Sequence, residues 1–158
     1  MTVEEFLAFS IRLEKEAAER YGELADAMES SGNREVAQLF RQLSDYSRLH
    51  LTDAMARGGF REIPDVIEGD FGWTDFENPE TAAIWAADPM IGREQALEIA
   101  LDAETAGYNY YKSVLDTTDD PEVRVFAKEF TEEEREHVAA LEKWIAAHKA
   151  GKKLPVDG

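Results

Sequence analysis

The sequence predicts an all-α protein, a four-helix bundle made of two helix hairpins that a long crossover connection joins. Apolar residues recur at helical spacing in four long segments of the 158-residue chain. Short turns separate the segments within each pair, so each pair is expected to form antiparallel neighbours. The stretch between the pairs, residues 58–91, is long enough to run the length of a bundle. One domain over residues 1–150 is therefore predicted.

The first hairpin is predicted over residues 3–57. Thr2 and Glu5 have the spacing of a capping box, which marks the start of the first helix. Asn33 follows a Ser-Gly turn and is the predicted N-cap of the second helix.

The second hairpin is predicted over residues 92–150. Its second helix begins at Asp120-Pro121, an N-cap followed by proline in the first turn. The final segment, residues 151–158, is predicted to be a flexible tail.

Residues 58–91 are rich in turn residues but also contain several aromatic side chains, so this connection is predicted to pack against the bundle. A second interpretation stays open. The connection can instead act as a hinge that lets the two hairpins exchange between subunits.

Composition excludes several classes of protein. The formal net charge of −17 should repel nucleic acid and anionic membrane surfaces. No apolar run approaches the roughly 20 residues that a membrane span needs, and the first residues lack the basic region of a secretory signal. Cysteine is absent, which excludes disulfides, thiolate metal sites and iron–sulfur clusters. A cytoplasmic location is expected.

A pattern of three residue types occurs twice in the chain, once in each hairpin. A glutamate precedes a tyrosine by seven residues, and a histidine follows the glutamate after 36 residues in the first copy and 33 in the second. The first copy is Glu14, Tyr21 and His50, and the second is Glu104, Tyr111 and His137. Duplicated helix pairs that carry glutamate and histidine inward are typical of two-metal carboxylate bundles.

The glutamates and histidines of this repeat interrupt apolar helix stripes, and so does Glu134. Burying several carboxylates together costs several kcal/mol per ion unless cations or protons compensate the charge. Glu134 and His137 form a Glu-x-x-His segment, which places both side chains on one helix face. A solvated acidic face is the alternative; it suits Glu133 and its other acidic neighbours, but not two residues that continue an apolar line.

The two tyrosines of the repeat have two interpretations. Tyr21 and Tyr111 lie two helical turns after their glutamates, where each hydroxyl can donate a hydrogen bond that orients a metal-binding carboxylate. Alternatively, both are core aromatics whose hydroxyls bond any polar neighbour.

EKEAAERY followed by His50, and ETAGYNYY followed by EREH, resemble the rubrerythrin branch of the ferritin-like superfamily. The likeness covers both hairpins and leaves the connection unmatched. It implies a di-iron centre, with two irons per chain expected and manganese or zinc as alternatives. The implied metal ligands, carried over by position, are Glu14, His50, Glu104, Glu134 and His137.

One position departs from the family pattern. Ser47 stands three residues before His50, where the family has its second-helix glutamate. A hydroxyl is a poor ligand for iron, so Ser47 is expected to leave an opening or to accommodate a water. Among nearby acids, Asp53 is the best local candidate to replace the missing carboxylate.

The resemblance implies a redox function, either reduction of peroxide or oxygen or oxidation of iron. Because no rubredoxin-like module fits a cysteine-free chain, an external electron donor is expected. The alternative is a degenerate bundle that binds metal or forms oligomers without catalytic turnover, and Ser47 favours it. A homodimer is expected, with or without exchange of hairpins, and no nucleic-acid or membrane partner.

Overall fold

Four helices are present in the computed structural model, which describes residues 1–59 and 92–154. They are α1 (Val3–Ser30), α2 (Arg34–Gly58), α3 (Arg93–Thr117) and α4 (Pro121–Lys149). The described residues contain no strand, so the prediction of an all-α bundle is confirmed. The predicted connection lies outside the described residues except for residues 58 and 59.

Two of the three predicted helix caps make the expected hydrogen bonds. The Thr2 hydroxyl accepts a hydrogen bond from the backbone N–H of Glu5 at 3.2 Å, and the Glu5 side chain accepts one from the Thr2 N–H at 3.4 Å. The Asp120 carboxylate accepts from the N–H groups of Glu122 and Val123. Asn33 occupies the N-cap position of α2, but its side chain makes no capping hydrogen bond. The backbone holds this turn instead, since the Asn33 N–H donates to the carbonyl of Met28 at 2.8 Å.

The buried apolar side chains form two separate clusters, one at each end of the bundle. The N-end cluster joins the start of α1, the end of α2, the end of α3 and the start of α4, through residues that include Phe6, Leu13, Ala54, Tyr111 and Phe130. The turn-end cluster joins the opposite ends of the same helices, through residues that include Ala17, Met28, Phe40, Leu97 and Leu141.

Membership of these clusters gives the direction of each helix. Ala54, near the end of α2, belongs to the N-end cluster, whereas Leu97, near the start of α3, belongs to the turn-end cluster. Helix α2 therefore ends at one end of the bundle and α3 begins at the other. This up-down-down-up order is the arrangement that the predicted crossover connection requires.

The segment after α4 differs from the predicted flexible tail at its beginning. Leu154 is only 4% exposed and belongs to the turn-end cluster. Its burial follows from apolar contact with the end of the bundle, so residues 151–154 cover that end; residues 155–158 lie outside the described part of the chain.

Within the described ranges, no helix combines the length and the apolar character that crossing a bilayer requires.

Candidate metal centre

A layer of charged and polar side chains separates the two apolar clusters. This polar layer consists of Glu14 from α1, His50 from α2, Glu104 from α3, and Glu134 and His137 from α4. The three carboxylates are buried, with residue exposures of 5%, 9% and 2% in that order, and the two imidazoles are partly exposed. The structure therefore brings together all five residues that the sequence predicts as ligands.

The tightest part of the polar layer is formed by α3 and α4. Glu104, Glu134 and His137 each offer one ligand atom, and these three atoms lie within 4.8 Å of one another. The Nδ1 atom of His137 is 3.5 Å from a carboxylate oxygen of Glu104 and 3.5 Å from one of Glu134. Two acids and one imidazole that converge in this way have the chemistry of a site for a divalent iron, manganese or zinc ion.

The remaining two residues adjoin this group from the first hairpin. The ring centroids of His50 and His137 are 4.3 Å apart, with the ring planes at 78°. Glu134 lines one small space together with Glu14, and it also belongs to the group of ligand atoms that includes Glu104. Donors from both hairpins thus surround one small volume, as in a two-metal carboxylate site.

Burial controls the protonation of this layer. Desolvation raises the pKa of Glu14 from 4.5 to about 8, with added repulsion from Glu104 and Glu133, against the attraction of His50 and the Glu134 hydrogen bond. Burial also acts to raise the pKa of Glu104, but hydrogen bonds with Glu134 and His137 outweigh it and hold that pKa below its ordinary value. A proton or a cation is thus needed to compensate the charge of the carboxylates at neutral pH.

A sixth residue, Glu133, contacts the polar layer through His50. Its carboxylate oxygen is 3.5 Å from the Nδ1 atom of His50, and its side chain is only 31% exposed. Burial acts to lower the pKa of His50, but the hydrogen bond with Glu133 and the charges of Glu14, Glu133 and Glu104 raise it overall. Carboxylates that hold the ring of a ligating histidine in this way fix its orientation and increase its basicity.

The sequence interpretation of Glu133 as part of a solvated face is therefore wrong. Glu133 lies four residues before His137 and three after the buried Phe130, so it borders the inward face of α4 at helical spacing. This helical spacing is the signal in the sequence that could have identified Glu133 as a residue near the site. Asp53, the suggested replacement for the missing carboxylate, instead accepts a hydrogen bond from Arg57 Nε at 3.1 Å on its own helix. The acid that faces His50 is Glu133.

The other three predicted site residues have different surroundings. Ser47 is 4% exposed and borders a cavity of about 180 Å³ next to the polar layer. Tyr111 borders a smaller space that is also lined by Glu14 and Glu134. Tyr21 stacks on Phe40 in the turn-end cluster, with ring centroids 5.8 Å apart. A supporting role for either tyrosine stays a prediction.

Comparison with known proteins places the chain in a family. A family model described as rubrerythrin matches residues 5–55. The crystal structure of an uncharacterised conserved protein from Magnetospirillum magnetotacticum MS-1 is 38% identical in sequence, with a TM-score of 0.70 and coverage of 98% of both chains. The chain belongs to the rubrerythrin family. A search of curated proteins returned no match.

The donor set suits the metal that membership of the rubrerythrin family suggests. Three buried carboxylates and two imidazoles can bind a pair of iron ions and compensate for most of their charge. Ser47 remains the departure from the rubrerythrin pattern, because its hydroxyl adds no charge to this set.

The polar layer makes the stability of metal-free protein depend on pH. Since the pKa of Glu14 is raised from 4.5 to about 8, the folded chain retains a proton that the unfolded chain releases between these values. The contribution of Glu14 to the free energy of unfolding is thus complete below about pH 4.5 and is lost as pH rises through about 8. The raised pKa of His50 acts in the same direction.

We therefore expect the melting temperature of chelator-treated protein to fall by several degrees between pH 5 and pH 8. Differential scanning calorimetry across this range measures the slope. Glu14→Gln should flatten it, whereas Glu19→Gln, at an exposed position of α1, should keep it. A melting temperature that rises with pH in this window contradicts the electrostatics described above.

The contact between Glu133 and His50 predicts an effect on metal affinity. Because Glu133 orients the imidazole, Glu133→Ala should weaken binding of Fe²⁺ or Co²⁺ by about tenfold or more. Glu132→Ala removes an exposed acid from the neighbouring position and is the matched control. Equal affinities for the two variants, measured by competition with a chelator, would show that Glu133 does not support the site.

Proposed function

We propose that this protein is a non-haem di-iron carboxylate protein that reduces peroxide or oxygen, or oxidises ferrous iron, in the cytoplasm. The observation that carries the proposal is the polar layer, which brings three buried carboxylates and two imidazoles from all four helices between two apolar clusters. Several buried carboxylates cost more than a folded protein tolerates unless protons or cations compensate their charge. Bound cations explain why they are there.

The residues of the chain have distinct roles in this proposal. Glu14, Glu104 and Glu134, of which Glu134 is the most deeply buried, would hold the ions. His50 and His137 would supply one nitrogen ligand each, and Glu133 would orient His50. Iron supplies the change of oxidation state. The surrounding apolar clusters restrict water, which strengthens the interactions within the layer.

Glu14 is the residue best placed to hold a proton near neutral pH. In the metal-free protein burial raises its pKa to about 8, so this carboxyl group keeps its proton at neutral pH until a cation displaces it. Reduction of a peroxide to water consumes protons. Glu14 can take part in that supply only when it is not committed as a metal ligand.

A second candidate function has one specific observation in its favour. Ser47 is buried beside His50 and adds no carboxylate to the set, so a single tightly held ion satisfies the remaining donors. The protein is then a metal-binding bundle without turnover.

Metal analysis and single-turnover kinetics separate these candidates. Protein purified from iron-supplemented cells is stripped with a chelator, reloaded with Fe²⁺ without oxygen, and mixed with hydrogen peroxide. Two irons per chain with peroxide-dependent oxidation faster than that of free Fe²⁺ support the enzyme. One ion per chain without oxidation supports the second candidate, and Ser47→Glu should then restore the second ion. A chain that binds no metal overturns both.

The assembly and partners are also proposals. We propose a homodimer, with or without exchanged hairpins, because α2 exposes large apolar side chains at Tyr46, Leu49 and Met55. Electrons come from an external donor, since the chain has no cysteine to hold a rubredoxin-type iron. The net charge of −17 disfavours nucleic acid and anionic membranes as partners.

A further inference from the structure

The cavity beside Ser47 has walls of two kinds. Its inner side is formed by residues of the polar layer, including Glu104 and His137. Its remaining walls are mainly apolar and come from α2 and α4, through Leu43, Tyr46, Ala140, Leu141 and Trp144. Tyr46 is 42% exposed, so the cavity reaches the surface between these two helices.

The volume of the cavity sets the size of a ligand. About 180 Å³ is slightly more than the roughly 150 Å³ of an engineered apolar cavity that takes up benzene. A ligand body of about five to seven non-hydrogen atoms therefore fits. Hydrogen peroxide alone leaves most of the apolar wall without a contact.

Ser47 explains why this space exists. It is buried at the border between the polar inner side and the apolar walls. A glutamate at this position, as in the rubrerythrin pattern, has a side chain larger by three non-hydrogen atoms and carries a charge. Serine leaves that volume open and avoids a further carboxylate beside the apolar walls.

The walls of the cavity select against anions. They are mainly apolar, and the whole chain carries a net charge of −17. A carboxylate ligand would lose its hydration against these walls, which costs free energy in a partly dehydrated site. An uncharged ligand with one O–H group can instead exchange a hydrogen bond with the Ser47 hydroxyl, which borders the cavity and is not among the predicted metal ligands.

We propose that the cavity beside Ser47 binds small uncharged organic molecules that have an apolar body and a single O–H end, namely organic hydroperoxides and the alcohols that form from them. This proposal rests on the proposed function. Reduction of the hydroperoxide breaks its O–O bond, takes up two protons and two electrons, and gives one alcohol and one water. The two electrons derive from the external donor of the proposed function.

Binding is tested on chelator-treated protein, so that the result does not depend on iron. Methyl groups of Leu43, Ala140 and Leu141 are followed by two-dimensional NMR during titration with tert-butyl hydroperoxide and with tert-butanol. Saturable shifts of these methyl signals are expected with both probes. Pivalate has the same tert-butyl body but a negative charge, and it should bind at least about tenfold more weakly.

Two variants locate the binding site. Ala140→Phe fills the cavity and should weaken binding of tert-butanol by at least about tenfold, because the apolar contacts of the probe are lost. Ala139→Phe adds the same group at an exposed position of α4 and should leave binding unchanged. Circular dichroism checks that both variants fold.

Absence of saturable shifts in the unmodified protein overturns the proposal, and so does binding of pivalate as tight as that of tert-butanol. These two outcomes do not require Ala140→Phe to fold. They also differ from failure of the proposed function, which is read from iron stoichiometry and peroxide-dependent oxidation rather than from binding to metal-free protein.

Discussion

Glu134→Gln is expected to weaken iron binding more than any other single substitution. Glu134 lies 3.5 Å from His137, belongs with it and Glu104 to one group of ligand atoms, and lines a small space together with Glu14 and His50. It therefore adjoins every other residue of the polar layer. Loss of a residue that only supports a ligand costs about 10- to 100-fold in metal affinity. Loss of the central carboxylate should cost about 100-fold or more.

The stability of the same variant should move in the opposite direction. Glutamine keeps the shape of Glu134 and has an amide group that can donate hydrogen bonds to neighbouring carboxylates, but it removes one buried ionisable group. The free energy of unfolding of metal-free Glu134→Gln is therefore expected to equal or exceed that of the unmodified protein. Denaturant unfolding and metal titration of the same sample measure both quantities.

Glu132→Gln is the matched control for this experiment, since it removes an exposed acid two residues away. It should change neither quantity. If Glu134→Gln binds iron as tightly as the control does, the polar layer is not the metal site. If it binds weakly only because it unfolds, the loss of affinity is uninformative, which is why both quantities are measured.

Iron is expected to raise the melting temperature of the protein by about 10 °C. A ligand that binds only the folded state, at 1,000 times its dissociation constant, adds about 4 kcal/mol to the free energy of unfolding. For a chain of 158 residues each kcal/mol corresponds to about 2–4 °C. The physical reason is that iron compensates the negative charge of the buried carboxylates, which otherwise repel one another or retain protons.

The size of this increase should itself depend on pH. At pH 8 the raised pKa of Glu14 leaves this carboxyl group partly ionised in the absence of metal, so iron has more repulsion to relieve and fewer protons to displace. The increase in melting temperature should therefore be larger at pH 8 than at pH 6. Calorimetry of iron-loaded and chelator-treated samples measures this difference. If iron raises the melting temperature of Glu134→Gln as much as that of the unmodified protein, the account is contradicted.

The sequence was sufficient for the helices and for most of the site because both depend on local periodicity. Apolar residues that recur every 3.6 residues mark the buried face of a helix. Glu14, Glu104 and Glu134 occupy positions on such faces, so their burial could be predicted from the sequence. The capping box at Thr2 and the Asp120-Pro121 start are equally local, and their hydrogen bonds in the structure are those that the residue types predict. The side chain of Asn33 is the exception among the three predicted caps.

What the sequence missed depends on how the helices are arranged in space. Glu133 lies at the border of the inward face of α4, and only the neighbouring position of α2 brings it within 3.5 Å of His50. Asp53 accepts a hydrogen bond from Arg57 on its own helix instead of facing the site. The short distance in sequence between Asp53 and His50 does not reveal this competing partner. Leu154 is buried because the end of the bundle offers an apolar surface to residues beyond α4.

Anomalous X-ray diffraction at the iron edge, on crystals grown from iron-loaded protein, tests the central claim most directly. The account predicts two anomalous peaks per chain about 3.5–4 Å apart, within the polar layer and in contact with Glu134. A single peak at that position would support the metal-binding bundle without turnover. Peaks only at the protein surface, with none between the two apolar clusters, would contradict the claim that the polar layer exists to hold metal.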